Sequence, residues 1–171
     1  MTGVQTCALP IFLGFREAAS SLVFGSDPSP LYGYNNYAVE GTLLRYSIDA
    51  NGTALIDRKV VFPDGQGEII YDNHRLYSST GGVVDALTNT RIGTIGAGRM
   101  CPDSGLNRAF VLSFPITSVI RAYDLTTFAE VGKKELTDYN PIGRLLRWGA
   151  KGLAFLTRED QLVFVLTAPG T

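Results

Sequence analysis

The feature that most constrains the fold is a succession of short apolar and β-branched runs separated by residues that favour tight turns. Gly and Asn accept positive φ and Pro fixes φ, so pairs such as Asn51-Gly52 and Gly81-Gly82 mark turns between the runs. Many short strands at this spacing predict an all-β fold of antiparallel strands. The predicted strands are Ser21–Phe24, Leu43–Ile48, Lys59–Phe62, Glu68–Tyr71, Arg75–Ser78, Gly82–Val84, Ala109–Ser113, Val119–Asp124, Arg144–Trp148, Leu153–Thr157 and Leu162–Leu166.

A step from an apolar or small residue to an aromatic residue recurs four times. It occurs as Leu31-Tyr32, Leu76-Tyr77, Ala109-Phe110 and Ala154-Phe155. The separations of 45, 33 and 45 residues are close to the ~40–50 residues of a four-stranded propeller blade. The chain holds about three such units and a terminal piece, whereas closed rings have about four to eight blades. We therefore predict an incomplete β-propeller of about three to four blades of antiparallel strands.

A second repeat places an Asp at the end of a strand, a Thr-containing turn after it, and a Gly eight residues further on. Asp85 and Asp124 occupy this position in the two clear copies, and Asp49 does so in a weaker third copy. We predict that each carboxylate accepts backbone N–H bonds and ties the corner of a hairpin. A ring of carboxylates that binds a cation is the alternative, which the repeated placement disfavours.

At these residues the chain resembles the bacterial β-propellers of the YVTN/WD40-like superfamily, in which a strand ending in Asp precedes a Thr/Gly-rich turn and another strand. The stretch Gly143–Phe155 is similar to an RWG-x-x-GLAF pattern of secreted or envelope-linked propellers in environmental bacteria. The resemblance spans roughly residues 31–166. It implies a non-catalytic binding or scaffold module that is extracellular or in the cell envelope. A fragment of a lactonase-like propeller hydrolase and a structural repeat of a large surface protein are the alternatives.

Composition excludes several other classes of protein. Fifteen Lys and Arg against 16 Asp and Glu leave no basic excess for nucleic acid. No apolar run approaches the ~18 residues of a membrane span. With two Cys and one His, no metal-ligand pattern emerges. We predict no cofactor and no metal, a protein or carbohydrate ligand, and self-association through exposed blade edges.

The first eleven residues carry no charge and show neither the strand period nor the helix period. Thr2 to Ile11 back-translate, codon by codon, into DNA that resembles a widely used sequencing adapter, with Met1 as a GTG start codon. We therefore expect residues 1–11 to be adapter-derived and residues 12–171 to be a partial β-propeller domain truncated at its N-terminus. On this hypothesis an export signal preceded the present sequence, Cys7 is not native, and Cys101 remains as the single cysteine.

His74 and Cys101 are the side chains that acid–base or thiol chemistry would use. His74 lies in a polar turn before a strand, and no recognisable nucleophile motif accompanies it. Cys101 has no predicted helix N-terminus nearby that would lower its pKa. We interpret His74 as a turn residue and Cys101 as a small buried side chain.

Three further patterns have two interpretations each. Trp148 with Arg144 and Arg147 could form a stacking platform for a sugar or peptide, but Trp packing between blades is favoured. Residues 51–53 match a glycosylation sequon, although a hairpin turn accounts for them. Three glycines with G-x-x-G-x-G spacing, at residues 93–98, precede no helix, which disfavours a phosphate loop. We therefore assign no catalytic, cofactor-binding or metal-ligating residue.

Overall fold

The structure, a computed structural model, describes residues 19–27, 29–35, 41–62, 67–113, 118–137, 139–158 and 163–167. Residues 1–11, including Cys7, lie outside the described residues, so the adapter hypothesis stays a prediction. The described residues form fifteen β-strands and one 3₁₀ turn, Ser104–Leu106.

The strands form four antiparallel sheets in which spatial order follows chain order. Sheet 1 contains β1 (Ser21–Phe24), β2 (Leu31–Asn35), β3 (Gly41–Asp49) and β4 (Gly52–Phe62). Sheet 2 contains β5 (Ile69–Asp72), β6 (Arg75–Ser78), β7 (Gly82–Asp85) and β8 (Thr90–Thr94). Sheet 3 contains β9 (Arg99–Asp103), β10 (Arg108–Ser113), β11 (Val119–Asp124) and β12 (Glu130–Glu135). Sheet 4 contains β13 (Pro141–Trp148), β14 (Gly152–Thr157) and β15 (Val163–Thr167). The predicted all-β fold of antiparallel strands is confirmed.

Each space between successive sheets holds one apolar cluster. Tyr34 and Leu43 of sheet 1 pack against Leu76 of sheet 2 in the first cluster. The second cluster joins sheets 2 and 3, and the third joins sheets 3 and 4 around Phe110 and Phe155. Among the described residues, no such cluster joins sheet 4 to sheet 1. The sheets therefore stack face to face in an open arc, which confirms the predicted incomplete propeller.

The first strands of the sheets lie along the inside of this arc. β5 neighbours β1 and β9, and β9 also neighbours β13. Because a meander alternates strand direction, the first and third strands of each sheet run the same way and end on one rim. The turns that follow the first and third strands therefore share this rim, which we call the capped rim.

The four aromatic steps fall in β2, β6, β10 and β14, the second strand of each sheet. The recurrence therefore marks one position in four successive units. In the last unit, however, the aromatic side chain lies on the opposite face of its strand. The aromatic residue faces the following sheet in the first three units, whereas Phe155 faces back onto sheet 3.

Some strands do not stand out in the sequence. β8 and β12 form outer edges of their sheets, and their side chains are mostly exposed. An edge strand in water needs no apolar alternation, so its pattern is weak. β9 contains Pro102, which disfavours a strand prediction. The predicted bounds of β1, β6 and β11 coincide with the observed ones.

Candidate functional site

The turns after the third strands are tied by aspartate side chains. The Asp85 carboxylate accepts the backbone N–H groups of Leu87 at 3.0 Å and Thr88 at 2.9 Å, and also the Thr88 hydroxyl. Asp124 accepts the equivalent groups of the two Thr residues that follow it, with backbone distances of 2.8 and 2.9 Å. Asp49 accepts one backbone N–H, that of Asn51, at 2.7 Å. The predicted hairpin capping is confirmed.

In the two clear copies, a left-handed residue four positions after the Asp accounts for the spacing from Asp to Gly. Asn89 has φ 51° and Phe128 has φ 59°, and each turn leads into a strand whose register shifts directly before its Gly, at Gly93 and Gly132. The Phe128 ring covers Gly93 of the neighbouring sheet, where an added Cβ would lie 2.3 Å from the ring. The Arg75 guanidinium lies 5.9 Å from the centroid of the same ring. Phe128 therefore joins sheet 3 to sheet 2.

The residues after Asp85 and Asp124 also receive a hydrogen bond from the preceding sheet. The Tyr32 hydroxyl donates to the Ala86 carbonyl at 3.1 Å, and Arg75 Nη1 donates to the Leu125 carbonyl at 2.6 Å. Both donors lie on second strands. The same polar link is thus made from sheet 1 to sheet 2 and from sheet 2 to sheet 3.

The ends of the first strands are also linked to the following sheets. The Ser26 and Tyr71 hydroxyls are 2.7 Å apart. The Ser104 backbone N–H donates to the Asp72 carboxylate at 2.8 Å, and the Asp103 carboxylate pairs with the Arg147 guanidinium of sheet 4 at 2.7 Å. Each successive pair of sheets is therefore connected by polar contacts at the capped rim. The rim turns are held in place by contacts within and between sheets.

The capping aspartates give the stability a predicted pH dependence. Backbone hydrogen bonds, the largest from Thr88 and Thr127, lower the pKa values of Asp85 and Asp124. Carboxylates with lowered folded-state pKa values stabilise the fold above their unfolded pKa of about 3.9, and this contribution is lost as pH falls through the folded pKa. When the pH is lowered from about 5 to about 2.5, the urea midpoint of the double variant Asp85→Asn, Asp124→Asn is therefore expected to fall less than the midpoint of the wild type.

Urea midpoints over this pH range, followed by circular dichroism, measure the effect. The control is Glu135→Gln, which removes an exposed negative charge outside the turns and is expected to leave the wild-type slope unchanged. Parallel acid profiles for the double variant and the wild type would contradict the proposed contribution of the caps.

The hydroxyl groups of Tyr77 and Tyr32 provide a second test of the packing between sheets. Tyr77 Oη is buried beside the Arg75 guanidinium and makes no hydrogen bond of ordinary geometry in the described part of the chain, and a buried polar group without such a bond costs about 1–3 kcal/mol. Tyr77→Phe is therefore expected to keep the free energy of unfolding or raise it by about 1 kcal/mol, whereas Tyr32→Phe lowers it by about 1 kcal/mol. Urea denaturation of both variants measures the contrast, and equal losses would refute it.

His74 lies where the sequence predicts it, in the two-residue turn between β5 and β6. Asn73 and His74 both have positive φ, 43° and 60°, as a tight type I′ hairpin requires. The imidazole Nδ1 lies 3.3 Å from the Tyr71 hydroxyl in an exposed setting. The interpretation of His74 as a turn residue is confirmed.

Cys101 is buried in β9 at 9% exposure, within the cluster between sheets 3 and 4, as predicted. Burial raises the pKa of its thiol to about 11. Since the thiolate is the reactive form, alkylation of Cys101 at pH 8 is expected to be about a hundredfold slower in the folded than in the unfolded protein. Iodoacetamide labelling followed by peptide mass spectrometry measures both rates. Similar labelling of Cys101 in the two states would contradict its burial.

The favoured interpretation of Trp148 is wrong. Its side chain is 61% exposed rather than packed between sheets of this chain. Arg147 faces sheet 3, where its guanidinium lies 5.4 Å from the Phe110 ring centroid, while Arg144 lines a cavity on the inside of the arc. The described structure therefore does not assemble the alternative stacking platform either. Strand alternation and a bulge between Ile142 and Leu146 separate the three side chains.

The remaining patterns are accounted for by backbone structure. The turn before Gly52 joins β3 to β4, and Gly96 and Gly98 lead into strand β9 rather than a helix. In the described ranges, no three His, Cys, Asp or Glu side chains are grouped to hold a metal ion. Likewise, no helix in the described part of the chain has the length and apolarity to span a bilayer.

An axial cavity lies on the inside of the arc, and all four first strands contribute to its wall. Its charged lining residues are Glu68, Arg99 and Arg144, and Glu68 pairs with Arg99 at 3.4 Å. The cavity volume of about 180 Å³ is below the ~300–1,000 Å³ of small-molecule sites. It accommodates about six water molecules at ~30 Å³ each. The cavity is therefore small for a ligand site, and the capped rim is the candidate surface for recognition.

Comparisons with solved structures identify the fold class. BamB from Moraxella catarrhalis matches with a TM-score of 0.61 and 14% identity, over 88% of this chain and 48% of that one. The computationally designed Ika8 protein matches with a TM-score of 0.59 and 13% identity, over 88% and 46% of the two chains. The designed Ika4 protein matches with a TM-score of 0.57 and 12% identity, over 91% and 94%.

The chain therefore has the β-propeller fold. It spans about half the length of BamB and of Ika8, and nearly all of Ika4. Neither a protein-family model nor a curated protein sequence matches the chain.

Proposed function

We propose that this β-propeller module is a non-catalytic binding or scaffold unit of an exported bacterial protein, and that it presents the capped rim to a protein or carbohydrate partner. The observation that carries the proposal is the fixation of the rim turns. Each clear capping turn is held by an Asp within its own sheet and by a side chain from the preceding sheet. Ordered turns bind a partner without a large loss of conformational entropy.

The rim also carries exposed apolar groups among polar ones. Leu87 is 63% exposed at the tip of the turn capped by Asp85, and Leu106 is 37% exposed in the neighbouring 3₁₀ turn. Arg45 donates to the Leu87 carbonyl at 3.2 Å, which holds this tip against sheet 1. Apolar side chains within a polar border are typical of recognition surfaces.

Location in the extracellular space or the cell envelope, and kinship with the YVTN/WD40-like superfamily, are parts of the same proposal. Both rest on the sequence pattern that ends strands in Asp85 and Asp124 and on the stretch 143–155. The fold shared with BamB, a protein of a bacterium, is consistent with this origin.

Photo-crosslinking on the rim tests the proposal. A benzophenone amino acid replaces Leu87 in one variant, and the control variant carries it at Ile56, which is 51% exposed on β4. Both proteins are mixed with an envelope extract and with a glycan library and then illuminated. A defined adduct at position 87 alone is expected. Adducts at both positions, or at position 56 alone, would overturn the rim as the binding surface, and no adduct at position 87 would do the same.

A further inference from the structure

A second cavity lies at the capped rim, between sheets 2 and 3, and is separate from the axial cavity. Sheet 2 contributes Asn73, Arg75 and Tyr77 to its wall, and sheet 3 contributes Ser104, Asn107 and Leu125. Its volume of about 70 Å³ holds about two water molecules at ~30 Å³ each. This cavity, which we call the rim pocket, therefore has room for one small polar group but not for a sugar ring.

Tyr77 brings an unsatisfied hydroxyl group to the rim pocket. Its side chain is fully buried, and its Oη makes no hydrogen bond of ordinary geometry in the described part of the chain. Arg75 and Tyr77 are two residues apart on β6, so both side chains point toward sheet 3, and the guanidinium lies beside the hydroxyl. A buried tyrosine hydroxyl normally has a hydrogen-bond partner. The pocket at this position therefore points to an acceptor from another molecule.

Arg75 brings a positive charge without an acidic partner to the same pocket. The other arginines that reach a neighbouring sheet, Arg45, Arg99 and Arg147, each pair with a carboxylate. Half-buried Arg75 instead donates to the Leu125 carbonyl at 2.6 Å, and no carboxylate of the described residues lies within ion-pair distance of it. Because a guanidinium has several N–H donors and no acceptor, donors of Arg75 remain available.

Two of the other polar residues in the wall are already engaged. Asn107 Nδ2 donates to the Asp124 carboxylate at 3.1 Å. The Ser104 N–H and hydroxyl both donate to the Asp72 carboxylate, at 2.8 and 3.2 Å. Neither carboxylate is part of the wall, and Arg75 is the charged residue among the described residues that line the pocket. The rim pocket therefore offers hydrogen-bond donors and one positive charge.

We propose that the rim pocket binds a carboxylate group of a peptide partner, whose oxygens accept from the Arg75 guanidinium and the Tyr77 hydroxyl. A carboxylate has acceptors, no donor and a negative charge, which is the complement of this wall. Leu106, in the 3₁₀ turn that supplies Ser104, is 37% exposed and offers an apolar contact to the rest of the peptide. The inference rests on the proposed function, since it names the group of the partner that the capped rim recognises.

Titration with acetate tests the rim pocket in the absence of any partner. NMR spectra of the isotope-labelled protein are recorded at constant ionic strength, and acetamide is the uncharged probe of the same shape. Acetate is expected to shift the Arg75 Nε–Hε signal saturably, with a millimolar dissociation constant, whereas acetamide is expected to leave the signal in place. Tyr77→Phe is expected to weaken acetate binding at least about tenfold, because a hydrogen bond to a charged group is lost. Tyr32→Phe removes a hydroxyl outside the pocket and, as the matched control, is expected to bind acetate like the wild type.

Two peptides distinguish the sources of the carboxylate. A tripeptide with a central glutamate and both ends capped carries the group on a side chain, and trialanine with a capped amino end carries it at the C-terminus. At least one of them is expected to bind more tightly than acetate, and the tighter one identifies the source. Methyl glucuronide carries the same group on a sugar ring and is expected not to bind, because the pocket is too small for the ring.

Every other outcome decides against the inference. No saturable shift with acetate, an equal shift with acetamide, or the same affinity in Tyr77→Phe and Tyr32→Phe shows that Arg75 and Tyr77 do not hold a carboxylate. Tighter binding by neither peptide, or binding of the glucuronide, shows that the group does not come from a peptide. An adduct at position 87 without acetate binding refutes the pocket and leaves the rim as the binding surface, whereas the absence of that adduct refutes the rim itself.

Discussion

Replacing Phe110 with alanine is expected to lower the free energy of unfolding by about 3–5 kcal/mol, because the change leaves a cavity in a core that is buried on all sides. Phe110 is fully buried in the cluster between sheets 3 and 4. Its ring also supports the Arg147 guanidinium, which pairs with Asp103 across the same interface. Against a typical total of about 5–15 kcal/mol, this loss would weaken the attachment of sheet 4 severely.

Urea denaturation followed by circular dichroism measures this loss. Leu87→Ala removes apolar atoms from a side chain that is 63% exposed, so its effect is expected to stay within about 0.5 kcal/mol. A loss below about 1 kcal/mol for Phe110→Ala would contradict the face-to-face packing of the two sheets.

Gly81→Ala is expected to cost more than about 3 kcal/mol, because backbone strain and a backbone clash occur together. Gly81 has φ +104°, and a Cβ at this position would lie 2.4 Å from the Ile95 carbonyl oxygen. The surrounding backbone cannot easily move aside. The Gly81 N–H donates to Ser78 at 2.8 Å, and the Gly81 carbonyl accepts the Ile95 N–H at 2.9 Å.

Gly149→Ala is the matched control, because Gly149 also has a positive φ, +58°, but an added Cβ meets nothing within 4 Å. Its substitution is expected to cost about 1 kcal/mol from conformation alone. The difference between the two midpoints measures the clash with Ile95 together with the additional backbone strain at φ +104°, which lies outside the left-handed region near +60° that Gly149 occupies. Equal losses for the two variants would show that the β6–β7 turn is not built as described.

The strands that could be predicted from the sequence are those whose buried side chains produce a regular apolar pattern. Strand β11 alternates residues that pack on both neighbouring sheets, so its bounds, Val119–Asp124, coincide with the prediction. β12 lies at an outer edge with charged side chains in water, so burial leaves little trace in its sequence. Periodicity detects strands that lie between two sheets better than strands at the edge.

The capped turns were predictable because their chemistry is local. Asp85 and Thr88 are three residues apart, so the hydrogen bonds follow from the turn itself. The links between sheets were not, since Tyr32 and Ala86 are 54 residues apart. Trp148 shows the same limit, because its exposure depends on which sheet, if any, follows sheet 4. The spacing of residues in the sequence does not show which sheet face is covered by another sheet.

The central claim is that four antiparallel sheets stack as successive blades of an open propeller. A crystal structure of the 171-residue protein tests it most directly. We expect four separate sheets, with β1, β5, β9 and β13 side by side along the inside of the arc and the Tyr32 hydroxyl on the Ala86 carbonyl. Strands joined into one continuous barrel or a two-sheet sandwich, with β1 and β13 at the edges of a shared sheet, would contradict the account.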